Sequence, residues 1–123
     1  MRQILGVDTV VTLDGELFGK PVDEADARAT LARLAGRTHT VISGVALATG
    51  GEVRLEHVAT GVTMRALDAA EIAGYVATGE WRGRAGGYAI QGRGAWLVEA
   101  ITGDYLNVVG LPVQALRRLL SAA

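Results

Sequence analysis

Cysteine is absent from the 123 residues of this sequence, which excludes disulfide bonds, thiolate metal sites and thiol nucleophiles. Lysine occurs once, at Lys20, and the other eleven basic residues are arginine. No apolar run approaches the roughly 18 residues of a membrane-spanning helix, and no signal peptide is recognisable. The net charge of −1 gives no general attraction to nucleic acid or to an anionic membrane. A soluble, cytoplasmic protein without nucleic-acid or membrane partners is therefore expected.

Half of the residues are apolar, which is enough for one core of ordinary size without covalent staples. The length, and the lack of repeats, linkers and low-complexity segments, predict a single domain over residues 1–123.

The first strand carries an unusual charge. The apolar run from Ile4 to Val11 contains one carboxylate, Asp8, and a charged group in such a run must find partners or lie at the open end of the strand. Asp14-Gly15 predicts a hairpin turn that brings Lys20 towards Asp8. The two residues could form a simple ion pair, or they could act as a base and a phosphate clamp.

The remaining pattern alternates between helical and extended segments, which predicts the α/β class with a mixed sheet and flanking helices. The predicted elements are a helix over 22–36 capped by Asp23, a strand ribbon over 38–49 and 52–65, a helix from the capping box at Asp68 to Gly79, a strand over 95–101, an apolar connection over 107–111 and a last helix that starts at Pro112.

A loop rich in glycine and arginine runs from Gly79 to Gly94. Glycines let backbone N–H groups approach an anion, so the loop suits a phosphate or nucleotide, although an ordinary mobile loop has the same composition. Gln91 lies in this loop, and its amide can donate to and accept from a base edge. A solvated glutamine is the alternative.

Two pairs of residues have a plainer interpretation. His39 and His57 lie on predicted strands without neighbours at metal-ligand spacing, so we expect strand residues rather than ligands. Trp81 and Trp96 are expected to pack in the core rather than stack on bases.

Seven short motifs, in this order, closely resemble the Maf family of nucleoside triphosphate pyrophosphatases. They are Gly6-Val7-Asp8-Thr9-Val10-Val11, Gly19-Lys20-Pro21, Leu34-Ala35-Gly36-Arg37-Thr38-His39, Ser43-Gly44-Val45, Tyr75-Val76-Ala77-Thr78-Gly79-Glu80, Ala85-Gly86-Gly87-Tyr88-Ala89-Ile90-Gln91-Gly92 and Gly103-Asp104-Tyr105-x-Asn107-Val108-Val109-Gly110-Leu111-Pro112.

The resemblance implies the α/β fold shared with inosine triphosphate pyrophosphatases, with a nucleotide cleft between lobes. It also implies hydrolysis of a nucleoside triphosphate to the monophosphate and pyrophosphate with a divalent cation, Mg²⁺ or Mn²⁺, and a homodimer. An uncovered sheet edge and uncovered apolar helix faces would also favour association.

The resemblance also assigns residues. It implies that Asp8 is the proton acceptor, that it could hold the metal ion, and that Lys20 is the second catalytic residue. Thr9 and Gln91 would contact the substrate, and Gln91 matches the branch that acts on dTTP and UTP.

Family members begin with a strand and a Ser-x-x-Arg-Arg loop that this sequence does not contain before the strand of Asp8. We therefore expect an N-terminally truncated family chain: a C-terminal portion, a natural truncation or a misplaced start. The alternative function is a nucleotide-binding or regulatory remnant without turnover.

Overall fold

An antiparallel sheet forms the centre of the protein. The computed structural model describes residues 3–110 and 112–121. Within these ranges five strands lie in the order β2-β1-β3-β4-β5, and each neighbouring pair is antiparallel. The strands are β1 (Gln3–Leu13), β2 (Glu16–Phe18), β3 (Thr38–Thr49), β4 (Glu52–Met64) and β5 (Val98–Thr102).

Helices flank this sheet, so the predicted α/β class is confirmed. They are α1 (Glu24–Leu34), α2 (Ala69–Ala77), α3 (Tyr105–Val109) and α4 (Val113–Ser121), with short 3-10 segments at Ala85–Gly87 and Gly92–Leu97. The described strand pairs are antiparallel rather than mixed, because tight turns join β1 to β2 and β3 to β4, and the connection through α1 returns β3 beside β1 in the opposite direction. Among the described helices, none has the length and apolarity needed to cross a membrane.

Local sequence chemistry sets the turns and helix starts. Asp14 and Gly15 have φ values of 51° and 82°, the pair of positive values that a two-residue type I′ hairpin requires. The Asp23 carboxylate accepts the N–H of Asp26 at 2.8 Å and caps α1. Asp68 and Glu71 form the predicted capping box at the start of α2.

The core lies between one face of the sheet and the helices. Its larger part joins β1, β3 and β4 to α1 and α2, and the main members include Val11, Leu31, Leu34, Val62 and Val76. A smaller cluster packs α4 on the far end of β3 through Val45, Leu47, Ala115 and Leu119. Full burial of one such apolar side chain stabilises the fold by roughly 1.5–3 kcal/mol.

The other face of the sheet carries exposed apolar side chains. Ile4 is level with Ala48 and Val53 across three strands, and Leu55 follows two residues later on the same face. Ile4, Val53 and Leu55 are all more than half exposed. An apolar patch of this kind is the surface that the predicted homodimer would bury.

The last third differs in detail from the sequence prediction. The strand expected over 95–101 begins at Val98, because residues 92–97 form a 3-10 segment. That segment turns Leu97 into the core and leaves Trp96 78% exposed, so the prediction that Trp96 packs inside was wrong. Trp81 is buried as predicted. Residues 105–109 form the short helix α3 where an apolar connection over 107–111 was predicted, and Leu111 lies outside the described residues.

Candidate functional site

The candidate site begins where β2 stops covering the outer edge of β1. β2 pairs with β1 only from Val11 onwards. Among the described residues, those of β1 that precede Val11 pair only with β3, on the side away from β2. The chain leaves the sheet after Phe18, and the Gly86 N–H donates to the Gly19 carbonyl at 3.1 Å. The glycine-rich loop is thereby docked beside the open edge.

A cleft of about 220 Å³ lies at this edge and is lined by Asp8, Thr9, Lys20, Arg84, Tyr88 and Val108, among others. We call it the carboxylate cleft. The predicted hairpin thus brings Lys20 and Asp8 to one cavity. Thr9, next to Asp8 in β1, lines the same cavity.

A second cleft, of about 400 Å³, is lined by Gln91, Glu80, Arg82, Arg84, Tyr88 and Val108, among others. We call it the glutamine cleft. Arg84, Tyr88, Val108 and Val109 line both clefts. The two clefts are therefore neighbours, and all four predicted site residues lie along one groove.

Asp8 and Lys20 are both exposed. The Asp8 carboxylate accepts the N–H of Thr9 at 2.9 Å. Among the ion pairs between described residues, none involves Asp8 or Lys20. The simple ion pair left open by the sequence is therefore not the arrangement seen here.

Asp8 also borders the opposite face of the sheet. Successive side chains of a strand point to opposite faces, and Thr9 shares a hydrogen bond of 3.0 Å with the buried Ser43 on the core side. Asp8 accordingly lines a shallow depression of about 360 Å³ with Gly44 and His57, in addition to the carboxylate cleft. Asp8 therefore borders both the carboxylate cleft and the opposite face of the sheet.

Tyr88 is the buried wall shared by the two clefts. Burial, together with the nearby Tyr75, raises the pKa of its hydroxyl well above the ordinary value of 10.0. The hydroxyl is therefore neutral at physiological pH and acts as a hydrogen-bonding group rather than a charge.

The donor set suits a metal ion that arrives with its substrate. The described part of the chain has no group of three or more His, Asp or Glu side chains that could cage a cation. Mg²⁺ is commonly held by one or two carboxylates together with substrate phosphates and water. Asp8, an exposed carboxylate beside a cationic cleft, fits that mode.

Three lining residues had no role assigned from the sequence. Arg84 belongs to the glycine-arginine loop, whose composition was the signal for an anion site. Tyr88 and Glu80 lie within two of the family-like motifs, but the motifs gave them no role, because their roles depend on contacts with residues far away in the chain.

Comparison with known proteins extends the motif resemblance. The family model described as Maf-like protein matches residues 1–123. The chain is 48% identical over 118 residues to a dTTP/UTP pyrophosphatase of Symbiobacterium thermophilum, covering 96% of this chain and 61% of that protein. It is 52% identical over 120 residues to one of Dictyoglomus thermophilum, covering 96% and 62%.

A further protein named dTTP/UTP pyrophosphatase, from Pyrococcus furiosus, is 46% identical over 117 residues, covering 95% of this chain and 62% of that protein. The chain thus spans 61–62% of the length of these three relatives. Because a single family model matches the chain from its first residue to its last, the protein belongs to the Maf-like family.

Proposed function

We propose that this protein hydrolyses dTTP or UTP to the nucleoside monophosphate and pyrophosphate. The observation that carries the proposal is the groove itself: Asp8 and Lys20 line one cleft, Gln91 lines the next, and Arg84 lines both. The relatives' name, dTTP/UTP pyrophosphatase, supports the choice of substrate.

The charges along the groove suit a nucleotide with a polyphosphate chain. Lys20 and Arg84 provide cations at the carboxylate cleft, and Arg82 and Arg84 provide them at the glutamine cleft. A triphosphate carries several negative charges, and cations that meet growing charge in the transition state lower the barrier. We place the phosphates along Lys20 and Arg84 and the base beside Gln91. Thr9, which lines the carboxylate cleft, is placed as a further contact of the substrate.

Asp8 is the proposed general base. It would accept a proton from a water molecule that attacks the α-phosphorus. A new P–O bond forms to the water oxygen as the bond to the oxygen bridging the α- and β-phosphorus atoms breaks, so that pyrophosphate leaves and the monophosphate is formed. A positioned base of this kind contributes roughly 10²- to 10⁴-fold to the rate. Lys20 would neutralise the charge that develops on the phosphoryl oxygens.

A divalent cation, Mg²⁺ or Mn²⁺, belongs to the proposal. Asp8 is the described residue that would hold it, together with the substrate phosphates. When bound, such an ion polarises phosphoryl oxygens as a Lewis acid.

Base recognition is proposed for Gln91. Its side chain is exposed in the glutamine cleft, and an amide can accept from and donate to the edge of uracil or thymine. We also propose that the protein acts in the cytoplasm as a homodimer. The exposed apolar patch of the sheet supports the dimer.

The test is pyrophosphate release from dTTP, UTP, CTP and 7-methyl-GTP, each with Mg²⁺ or Mn²⁺. We expect turnover of dTTP and UTP above the other two. Tight binding of dTTP without pyrophosphate release would contradict the enzyme and favour a nucleotide-binding protein without turnover.

A further inference from the structure

The glutamine cleft contains a carboxylate that ties the end of α2 to the loop of Gln91. Glu80 Oε2 accepts the N–H of Arg93 at 3.1 Å, and Glu80 Oε1 accepts the N–H of Gly94 at 3.1 Å. The bond from the Arg93 N–H, followed by those from Gly94 and the Tyr75 hydroxyl, keeps the pKa of Glu80 below its ordinary value. The side chain is therefore a charged acceptor at neutral pH, and charged acceptors form the stronger hydrogen bonds.

Tyr75 holds the other side of the same loop. Its hydroxyl accepts the N–H of Ala89 at 3.1 Å. Burial raises the pKa of Tyr75 to about 12, so the hydroxyl stays neutral across the physiological range. Tyr75 in α2 and Glu80 in the turn after it thus fix the two ends of the short segment that carries Gln91.

The glycines of this segment fit the arrangement closely. Gly92 has φ +64°, and a Cβ atom there would lie 2.8 Å from Glu80 Oε2. A Cβ atom on Gly94 would lie 1.6 Å from the Ala89 carbonyl oxygen. The segment therefore folds back on itself with no room for side chains at either glycine.

Gln91 lies at the tip of this fold. Ile90 on one side is buried, whereas Gln91 is exposed and lines the cleft. A flexible glutamine can rotate its amide to suit several bases, so selectivity requires a backbone held in one conformation.

We propose that Glu80 is a positioning residue that sets the nucleobase preference of the site by fixing the backbone that follows Gln91, at Arg93 and Gly94. The inference rests on the proposed function, since it assumes that Gln91 contacts the base. Glu80 bonds to the loop and lines the glutamine cleft, and it is not among the residues that line the carboxylate cleft of Asp8 and Lys20.

The test compares Glu80→Gln with the parent protein in its kcat/KM for UTP and for CTP. The substituted amide lacks the charge and has one oxygen in place of two, so at least one of the two N–H bonds is lost. We expect the UTP-to-CTP ratio to fall roughly tenfold, the scale of one well-placed hydrogen bond. Glu80→Asp, which keeps the charge but shortens the reach, should fall between the two and covers the case in which Glu80→Gln folds poorly.

Two further measurements separate positioning from a merely structural role. Inhibition by inorganic tripolyphosphate, which has no base, should stay within about twofold of the parent value, because the phosphate side is untouched. Glu71→Gln removes a capping carboxylate that also pairs with Arg65 at 2.6 Å; it should lower the melting temperature without moving the UTP-to-CTP ratio.

A double-mutant comparison with Gln91→Ala measures whether Glu80 acts through Gln91. In the Glu80→Gln background, Gln91→Ala should change the ratio far less than in the parent, since residues that act through one another are not additive. An unchanged ratio in folded Glu80→Gln, or full additivity with Gln91→Ala, would overturn the inference while the proposed function stands. A parent protein that neither binds nor hydrolyses any nucleotide would instead overturn the proposed function.

Discussion

The Tyr88 hydroxyl and His39 Nε2 share a hydrogen bond of 2.6 Å behind the wall common to the two clefts. The rings meet edge to face, with centroids 5.4 Å apart. His39 is almost fully buried, and its Nδ1 atom has no hydrogen-bond partner among the described residues. A buried imidazole in this setting is held in its neutral form, because protonation would place a charge in the core.

The pH dependence of stability follows from this histidine. Burial lowers the pKa of His39 from 6.5 to about 4. Between these values the unfolded chain binds a proton that the folded chain does not, so stability must fall as the pH falls from about 6.5 towards 4. The full loss is roughly 3 kcal/mol, at about 1.4 kcal/mol for each pH unit.

Urea unfolding at pH 7.5, 6.5 and 5.5 measures this effect. His39→Gln should flatten the dependence, whereas His57→Gln, at the exposed histidine, should leave it as in the parent. An equal slope in the parent and in His39→Gln would assign the pH effect to other groups.

Lys20 should act on binding and turnover together. If it neutralises phosphate charge, Lys20→Ala raises KM and lowers kcat, with a combined loss of roughly 10²-fold in kcat/KM, the lower range for a preorganised electrostatic contact. Lys20→Arg should restore part of the activity, since a planar fork replaces a compact charge.

Steady-state kinetics with dTTP distinguish these variants. Arg117→Ala, which removes an exposed cation from α4, is the matched control and should behave as the parent. Lowered thermal stability with unchanged kinetics in Lys20→Ala would make Lys20 a structural residue.

The exposed apolar patch of the sheet leads to a prediction about the homodimer. If the homodimer forms through Ile4, Val53 and Leu55, the double change Val53→Thr and Leu55→Thr should weaken dimerisation at least tenfold, because burial of each apolar side chain contributes about 1.5–3 kcal/mol. Sedimentation velocity between micromolar and tens of micromolar protein reports the change.

Val22→Thr provides the control for that experiment, since Val22 is 85% exposed and lies before α1, away from the patch. A parent protein that sediments as a monomer at all these concentrations would contradict the predicted dimer.

Local chemistry explains why much of the fold was predictable. The turn at Asp14-Gly15 and the capping box at Asp68 and Glu71 each depend on residues within three positions of one another. Such short-range rules predicted the hairpin and the start of α2, and the hairpin in turn predicted that Lys20 and Asp8 approach one site.

Short-range rules could not predict the features that depend on contacts between residues distant in the sequence. Asn107 donates from Nδ2 to the carbonyls of Val41 and Val58, at 3.1 and 3.2 Å, and this buried contact fixes α3 against β3 and β4, which the predicted apolar connection did not include. The expected packing of Trp96 was wrong because residues 92–97 form a 3-10 segment that buries Leu97 and leaves Trp96 exposed. Glu80 ends one of the family-like motifs, but its role could not be predicted because its partners lie 13 and 14 residues further along the chain.

The role of Asp8 is the centre of the account, and Asp8→Asn tests it while keeping the shape of the side chain. Loss of a general base should lower kcat for dTTP by roughly 10²- to 10⁴-fold. Binding of dTTP should change far less, because the cations and Gln91 remain. Asp14→Asn is a close control, since it removes a carboxylate at an exposed turn where asparagine tolerates the positive φ.

The most direct measurement is the rate of pyrophosphate release from saturating dTTP by the parent, Asp8→Asn and Asp14→Asn proteins, with dTTP binding determined for each. We predict parental rates for Asp14→Asn and a loss of two or more orders of magnitude for Asp8→Asn at near-parental affinity. Pyrophosphate release by Asp8→Asn at close to the parental rate would contradict the assignment of Asp8 as the base.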